Sequence, residues 1–218
     1  MQLFITGGGE QEAFHELDTK FLKSLPQNAK ILVVPLATED QDHQDVLDRA
    51  EECFSSKNVQ NIDLCQDVKS LEASTLDEYD ALFFEGGNTF KLIKEVRQCG
   101  FFSLLKDFVT QNKPVYADSA GAIVLGRHVE SAFIGEAADE DHGKLQDYRG
   151  LGLLGDWAIH CHYEEDEDEQ LQDLMYNTGF PLLALAEPVG VVTDGEFVEV
   201  FGEGELVIFD FSGRREVK

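Results

Sequence analysis

The sequence predicts an α/β fold, a mostly parallel and doubly wound sheet with helices on both faces and an antiparallel extension near its C-terminal end. Short hydrophobic runs alternate with stretches of helical periodicity, which implies crossover connections and a parallel sheet. Three of the runs end in turns of small residues, the pattern of strands that stop at a common edge. After Leu154 one further strand and helix give way to short strands with no helices between them, which predicts that the extension lies at one sheet edge.

The elements follow in order. Gln2 to Thr6 is an apolar strand closed by Gly7-Gly8-Gly9, and Glu12 to Leu25 places Phe14, Leu17, Phe21, Leu22 and Leu25 at helical spacing. Lys30 to Ala37 reads as a strand buried on both faces, followed by a polar helix from about Asp40 to Ser55 and a strand at Val59 to Leu64. Tyr79 to Phe84 is a fourth strand, stopped by Gly86-Gly87-Asn88, after which Phe90, Leu92, Ile93 and Val96 form a helical stripe. A helix from Phe101 to Gln111 leads through Pro114 into the strand Val115-Tyr116-Ala117. Trp157 to His162 is a strand and Glu165 to Tyr176 a helix. The closing strands are Leu182 to Ala186, Gly190 to Thr193, Phe197 to Phe201 and Leu206 to Phe211.

The 218 residues, 43% of them hydrophobic, suit one domain over 1–218, because single cores stop growing only beyond roughly 250 to 300 residues. No run approaches the ~20 apolar residues that cross a bilayer, and Met1 leads directly into a core strand, so export is not expected. The four cysteines lack a C-x-x-C pair and read as reduced thiols of a cytoplasmic protein. Lys and Arg number 17 against 43 Asp and Glu, a net charge of −26 that repels phosphate backbones and anionic lipid. Nucleic acid and membranes are therefore not expected as partners. The charge serves solubility, or it draws in cationic substrates.

Ligands of open α/β sheets bind beyond the carboxyl ends of the strands. Gly7-Gly8-Gly9-Glu10-Gln11-Glu12 lacks the third glycine of a dinucleotide fingerprint and reads as a tight turn. In Ala117-Asp118-Ser119-Ala120-Gly121, a serine stands between a strand and a helix with small residues two positions before and after it. That is the pattern of a nucleophile elbow, although a serine N-cap produces the same local sequence. At a helix start, free N–H groups favour a developing oxyanion. Gly86 or Gly87 could present one oxyanion donor and Ala120 another; alternatively Asn88 or Thr89 merely caps the next helix.

A serine nucleophile needs a base, normally histidine. Of six histidines, His160 and His162 lie on the strand that runs to the functional edge, with His162 at its end as the expected base and His160 as the fallback. His-x-His could also ligate a metal, but no third ligand has fixed spacing, so no metal is expected.

Gly86-Gly87-Asn88-Thr89-Phe90, Ser119-Ala120-Gly121-Ala122 and Cys161-His162-Tyr163, with Tyr148 to Leu153 leading into the last, resemble in order the motif blocks of the peptidase E and cyanophycinase family of serine peptidases. The resemblance implies a glutamine-amidotransferase-like fold, a Ser-His-acid triad and no cofactor. It matches Ser119 to the nucleophile and His162 to the base, with Gly87 and the Ala120 N–H at the oxyanion positions. Gly86, Asn88 and His160 are expected to bind substrate. For the acid the loop offers Glu136, Asp139, Glu140 and Asp141, and the family spacing favours Glu136, with Asp139 second.

Ala117 replaces a glycine of the family pattern, Glu85 occupies a position often glycine, and Cys161 replaces a proline. Downstream of His162, where members that cleave after aspartate carry basic residues, this chain has Glu164-Glu165-Asp166-Glu167-Asp168. The expected activity is hydrolysis of short peptides by a monomer or homodimer of the dipeptidase or exopeptidase class. The alternatives are a cyanophycinase-like hydrolase of β-aspartyl-arginine bonds and an inactive binding protein of the same fold.

Overall fold

A computed structural model describes residues 1–37, 43–65 and 67–218. In the first half, β1 (Leu3–Thr6), β2 (Ala29–Val34), β3 (Val59–Leu64), β4 (Ala81–Phe84) and β5 (Val115–Asp118) are separated by helices. These are α1 (His15–Ser24), α2 (His43–Phe54), α3 (Ala73–Leu76), α4 (Thr89–Gln98) and α5 (Phe101–Thr110). The expected start of the second helix, residues 40–42, lies outside the described residues.

These strands form a parallel array in the order β3-β2-β4-β5-β1. Successive side chains of a strand point to opposite faces, and both faces are filled. Leu3, Ile5, Leu32, Val34, Leu82, Phe84, Val115 and Ala117 enter one core, while Phe4, Ile31, Val33, Phe83 and Tyr116 enter the other. The second core is aromatic, with the Phe21 ring edge-on to Phe4, Phe54 and Tyr116 at 5.0 to 5.3 Å. Such edge-to-face pairs contribute about 0.5–1.5 kcal/mol each beyond their buried area.

The short helix α6 (Ala120–Leu125) follows β5, and a long irregular stretch leads to β6 (Ala158–Cys161), α7 (Asp168–Thr178) and β7 (Leu182–Leu185). The remaining strands are β8 (Val189–Thr193), β9 (Val198–Gly202), β10 (Leu206–Asp210) and β11 (Gly213–Val217). The antiparallel strands divide between two sheets instead of lining one edge. β8 and β9 continue the large sheet beyond β1, whereas β10 and β11 join β7 and β6 in a four-stranded sheet ordered β11-β10-β7-β6.

Within that smaller sheet β7 runs parallel to β6, with Cys161 opposite Leu185. The cause is α7, which carries the chain back so that β6-α7-β7 is a crossover unit and not a hairpin. Ile159, Leu183 and Ile208 share the first core with Leu3 and Ile5, so the two sheets pack against common side chains.

Candidate active site

Ser119 follows β5 directly, at φ 47° and ψ −111°, a strained conformation for a residue with a side chain. Its amide donates to the Thr6 carbonyl (3.3 Å), and its own carbonyl accepts from Ala122 and Ile123, which starts α6. The elbow needs its small neighbours. A Cβ on Gly121 would stand 2.5 Å from the Phe84 carbonyl oxygen, and one on Gly86 would stand 3.2 Å from Ser119 Cβ. Sequence patterning thus located the turn because its steric demand is local.

His162 directly follows β6, also at positive φ (58°), with its amide donating to the Gly7 carbonyl (2.9 Å). Its Nε2 lies 2.7 Å from Ser119 Oγ, and its Nδ1 lies 3.1 Å from Glu187 Oε1. With Nδ1–H donating to the carboxylate, Nε2 is free to accept the serine proton.

The carboxylate on the imidazole is Glu187, where Glu136 or Asp139 was expected. Glu136 is exposed and does not line the cavity around Ser119. Asp139 does line it, but accepts from the Thr89 amide (2.8 Å) and the Asn88 side-chain amide (3.4 Å). The parallel pairing of β6 and β7 supplies the reason. Cys161 stands beside Leu185, so the residues just beyond the two strand ends, His162 and Glu187, emerge at one edge.

Gly8 and Gly9 were read as a plain tight turn, and they prove to be the bed of this pair. At φ 89°, a Cβ on Gly8 would overlap the His162 ring; on Gly9, at φ 105°, it would stand 2.8 Å from Glu187 Cβ. A run of glycines at the edge where His162 emerges was the available signal.

The cavity, of about 410 Å³, is lined by Gly86, Gly87, Asp118, Ser119, His160 and His162 among others. Gly87 has φ 132°, and a Cβ there would stand 2.7 Å from the Ala37 carbonyl oxygen. Ala120 opens α6, where backbone N–H groups lack intrahelical acceptors. Asn88 is a helix cap instead of a cavity-lining residue. Its side chain accepts from the Lys91 amide (2.8 Å) and donates to the Glu140 carbonyl (3.1 Å). His160 lines the cavity while held from behind, with Nε2 2.9 Å from Glu167 Oε2 and Nδ1 3.2 Å from the Ser131 carbonyl oxygen. The His-x-His imidazoles therefore engage separate partners.

Two further carboxylates border Ser119. Asp118 accepts from the Thr6 hydroxyl (2.5 Å), and burial raises its pKa against the opposing pull of that bond, Arg49 and His162. Glu85 is 2% exposed and pairs through Oε1 with the half-exposed Arg49 guanidinium; burial, only partly offset by Arg49, pushes it up to about 7.

The family model described as "Peptidase family S51" matches residues 3–201. Peptidase E of Streptomyces coelicolor is 25% identical over 205 residues, covering 89% of this chain and 80% of that protein. A Drosophila melanogaster protein named "Probable alpha-aspartyl dipeptidase" is 25% identical over 197 residues, covering 85% of this chain and 78% of its own length. The crystal structure of a peptidase from an acI-B1 Actinobacterium superposes with a TM-score of 0.74 at 15% identity, over 100% of this chain and 93% of that one, which shows the shared fold. With the family model spanning most of its length, the chain belongs to peptidase family S51 and is a serine-type peptidase.

Proposed function

We propose that this peptidase hydrolyses short peptides, as a dipeptidase or exopeptidase, by acyl transfer through Ser119. The observation that carries this reading is the continuous hydrogen-bonded line from Ser119 Oγ through the His162 ring to Glu187. Ser119 attacks the amide carbonyl while His162 Nε2 takes its proton, and the same nitrogen returns that proton to the leaving amine. Glu187 holds the ring and stabilises the imidazolium. The oxyanion is received by the Gly87 and Ala120 N–H groups, one from the β4 turn and one from the start of α6. Water then repeats the sequence on the acyl-enzyme and releases the second product.

No helix among the described residues is long and apolar enough to cross a membrane, and all four cysteines are free thiols. Both support placing the enzyme in the cytoplasm, acting as a monomer or homodimer through a single domain over 1–218. The test compares hydrolysis of a dipeptide series by the wild type and by Ser119→Ala. Loss of turnover and of labelling by a serine-directed fluorophosphonate is expected, and equal rates for the two proteins would end the proposal.

A further inference from the structure

Behind the Arg49–Glu85 pair lies a second cavity, of about 600 Å³, that shares Gly9, Arg49, Glu85 and Asp118 with the cavity around Ser119. Its described lining residues carry six carboxylates, Glu10, Glu12, Asp18, Glu52, Glu85 and Asp118, against one guanidinium, Arg49, and the His15 imidazole. Glu85 joins the two cavities. It belongs to both walls, it is 2% exposed, and among the described residues its Oε2 has no hydrogen-bond partner while Oε1 is occupied by Arg49. A buried carboxylate oxygen left unpaired costs free energy that a cation arriving beside it would recover.

Burial, with the fields of Asp18, Glu85 and Glu52 added, pushes the Cys53 thiol up to about 12, and Tyr116 is raised by burial and then by Asp18. Arg49 is half-exposed and leans over Glu85 from α2, so it can swing aside without unpacking the core. The distance from the nucleophile is short, because Glu85 immediately precedes Gly86, whose backbone abuts Ser119.

From these observations we infer that the second cavity is a specificity subsite for the cationic side chain of a lysine or arginine flanking the scissile bond. The inference rests on Ser119 being the reaction centre. A basic side chain passes the Arg49–Glu85 boundary and ends among the carboxylates of the second cavity, with Glu85 Oε2 as its buried partner. A neutral chain of the same length gains only the apolar contacts. An acidic one meets repulsion from the carboxylates of the second cavity.

The experiment compares matched dipeptides bearing lysine or norleucine, and arginine or citrulline, on each side of the bond. Every member keeps a free amino terminus, so only the side-chain charge differs. For the wild type, kcat/KM for the lysine peptide is expected to exceed that for norleucine by about tenfold in one of the two positions, the worth of one charge-assisted hydrogen bond. Glu85→Gln should bring that ratio close to one. Since this change strands Arg49, the exposed pair Glu12→Gln/Glu52→Gln gives a second decision and should reduce the ratio by about threefold.

Binding of the same peptides to Ser119→Ala, measured by calorimetry, separates this inference from the proposed reaction. Tighter binding of the lysine peptide without turnover by the wild type would keep the subsite and refute the nucleophile. A wild-type ratio of one, a preference for an acidic side chain, or a ratio that neither variant alters would overturn the inference.

Discussion

Glu187 acts, in the proposed mechanism, through one ring nitrogen of His162. The imidazole must present Nε2 as an acceptor, and only an anion or carbonyl at Nδ1 fixes that tautomer. Glu187 Oε1 stands there at 3.1 Å, while Glu136 is exposed elsewhere. The side chain of Glu187 is 59% exposed, so its charge is partly screened and its main contribution is orientation of the ring. Glu187→Gln is therefore expected to lower kcat by about 10²- to 10⁴-fold with little change in KM, because a side-chain amide can donate to Nδ1 and favour the unproductive tautomer. Glu136→Gln should stay within about twofold of the wild type. Steady-state hydrolysis of one dipeptide by the three proteins checks both, and the reverse ranking would return the acid to the loop after α6.

Two elements hold His162, the glycine turn after β1 and the junction of β6 with α7. At that junction Glu167 is 4% exposed, accepts from the Glu164 amide (3.0 Å), and pairs with His160, two residues before His162. Burial would raise the Glu167 carboxyl, but the His160 and Glu164 hydrogen bonds prevail and hold it below its ordinary 4.5. A carboxyl depressed in the folded state stabilises the fold fully above its unfolded pKa, and that stability disappears as pH falls through the folded value. Glu167→Ala should then cost about 3–5 kcal/mol at neutral pH, by taking the carboxylate from a buried imidazole that keeps only the Ser131 carbonyl, with the deficit narrowing as pH falls below 4.5. Urea denaturation at neutral and acidic pH measures the gap, and a gap constant with pH would remove the charge from the explanation.

What the sequence made legible at this scale follows from how local each signal is. Alternating faces of Leu3 to Ile5 and Leu82 to Phe84, the small residues around Ser119, and the strand leading to His162 are all read within a few positions. Glu187 is not, because its place depends on β7 pairing beside β6 after a helical crossover, a relation that no short window contains. At Asn88 the sequence left two readings open for a related reason. A turn after a strand can serve a ligand or cap the next helix, and here the lysine three positions on takes its side-chain oxygen.

Across the whole molecule the net charge of −26 has two consequences with opposite signs. Self-repulsion among like charges disfavours the compact state, while the same field concentrates cations at a cleft bordered by carboxylates. Both weaken as salt shortens the screening length from ~30 Å at about 0.01 M to ~3 Å at about 1 M. Raising sodium chloride over that range should therefore increase the midpoint of thermal unfolding and lower kcat/KM for a lysine dipeptide. For its norleucine counterpart, kcat/KM should change much less, since the acceleration depends on the product of substrate and cavity charge. The pairing of measurements matters, because a general effect of salt on the triad would move both peptides together. Parallel loss for the two would confine the negative charge to solubility and take long-range attraction out of substrate selection.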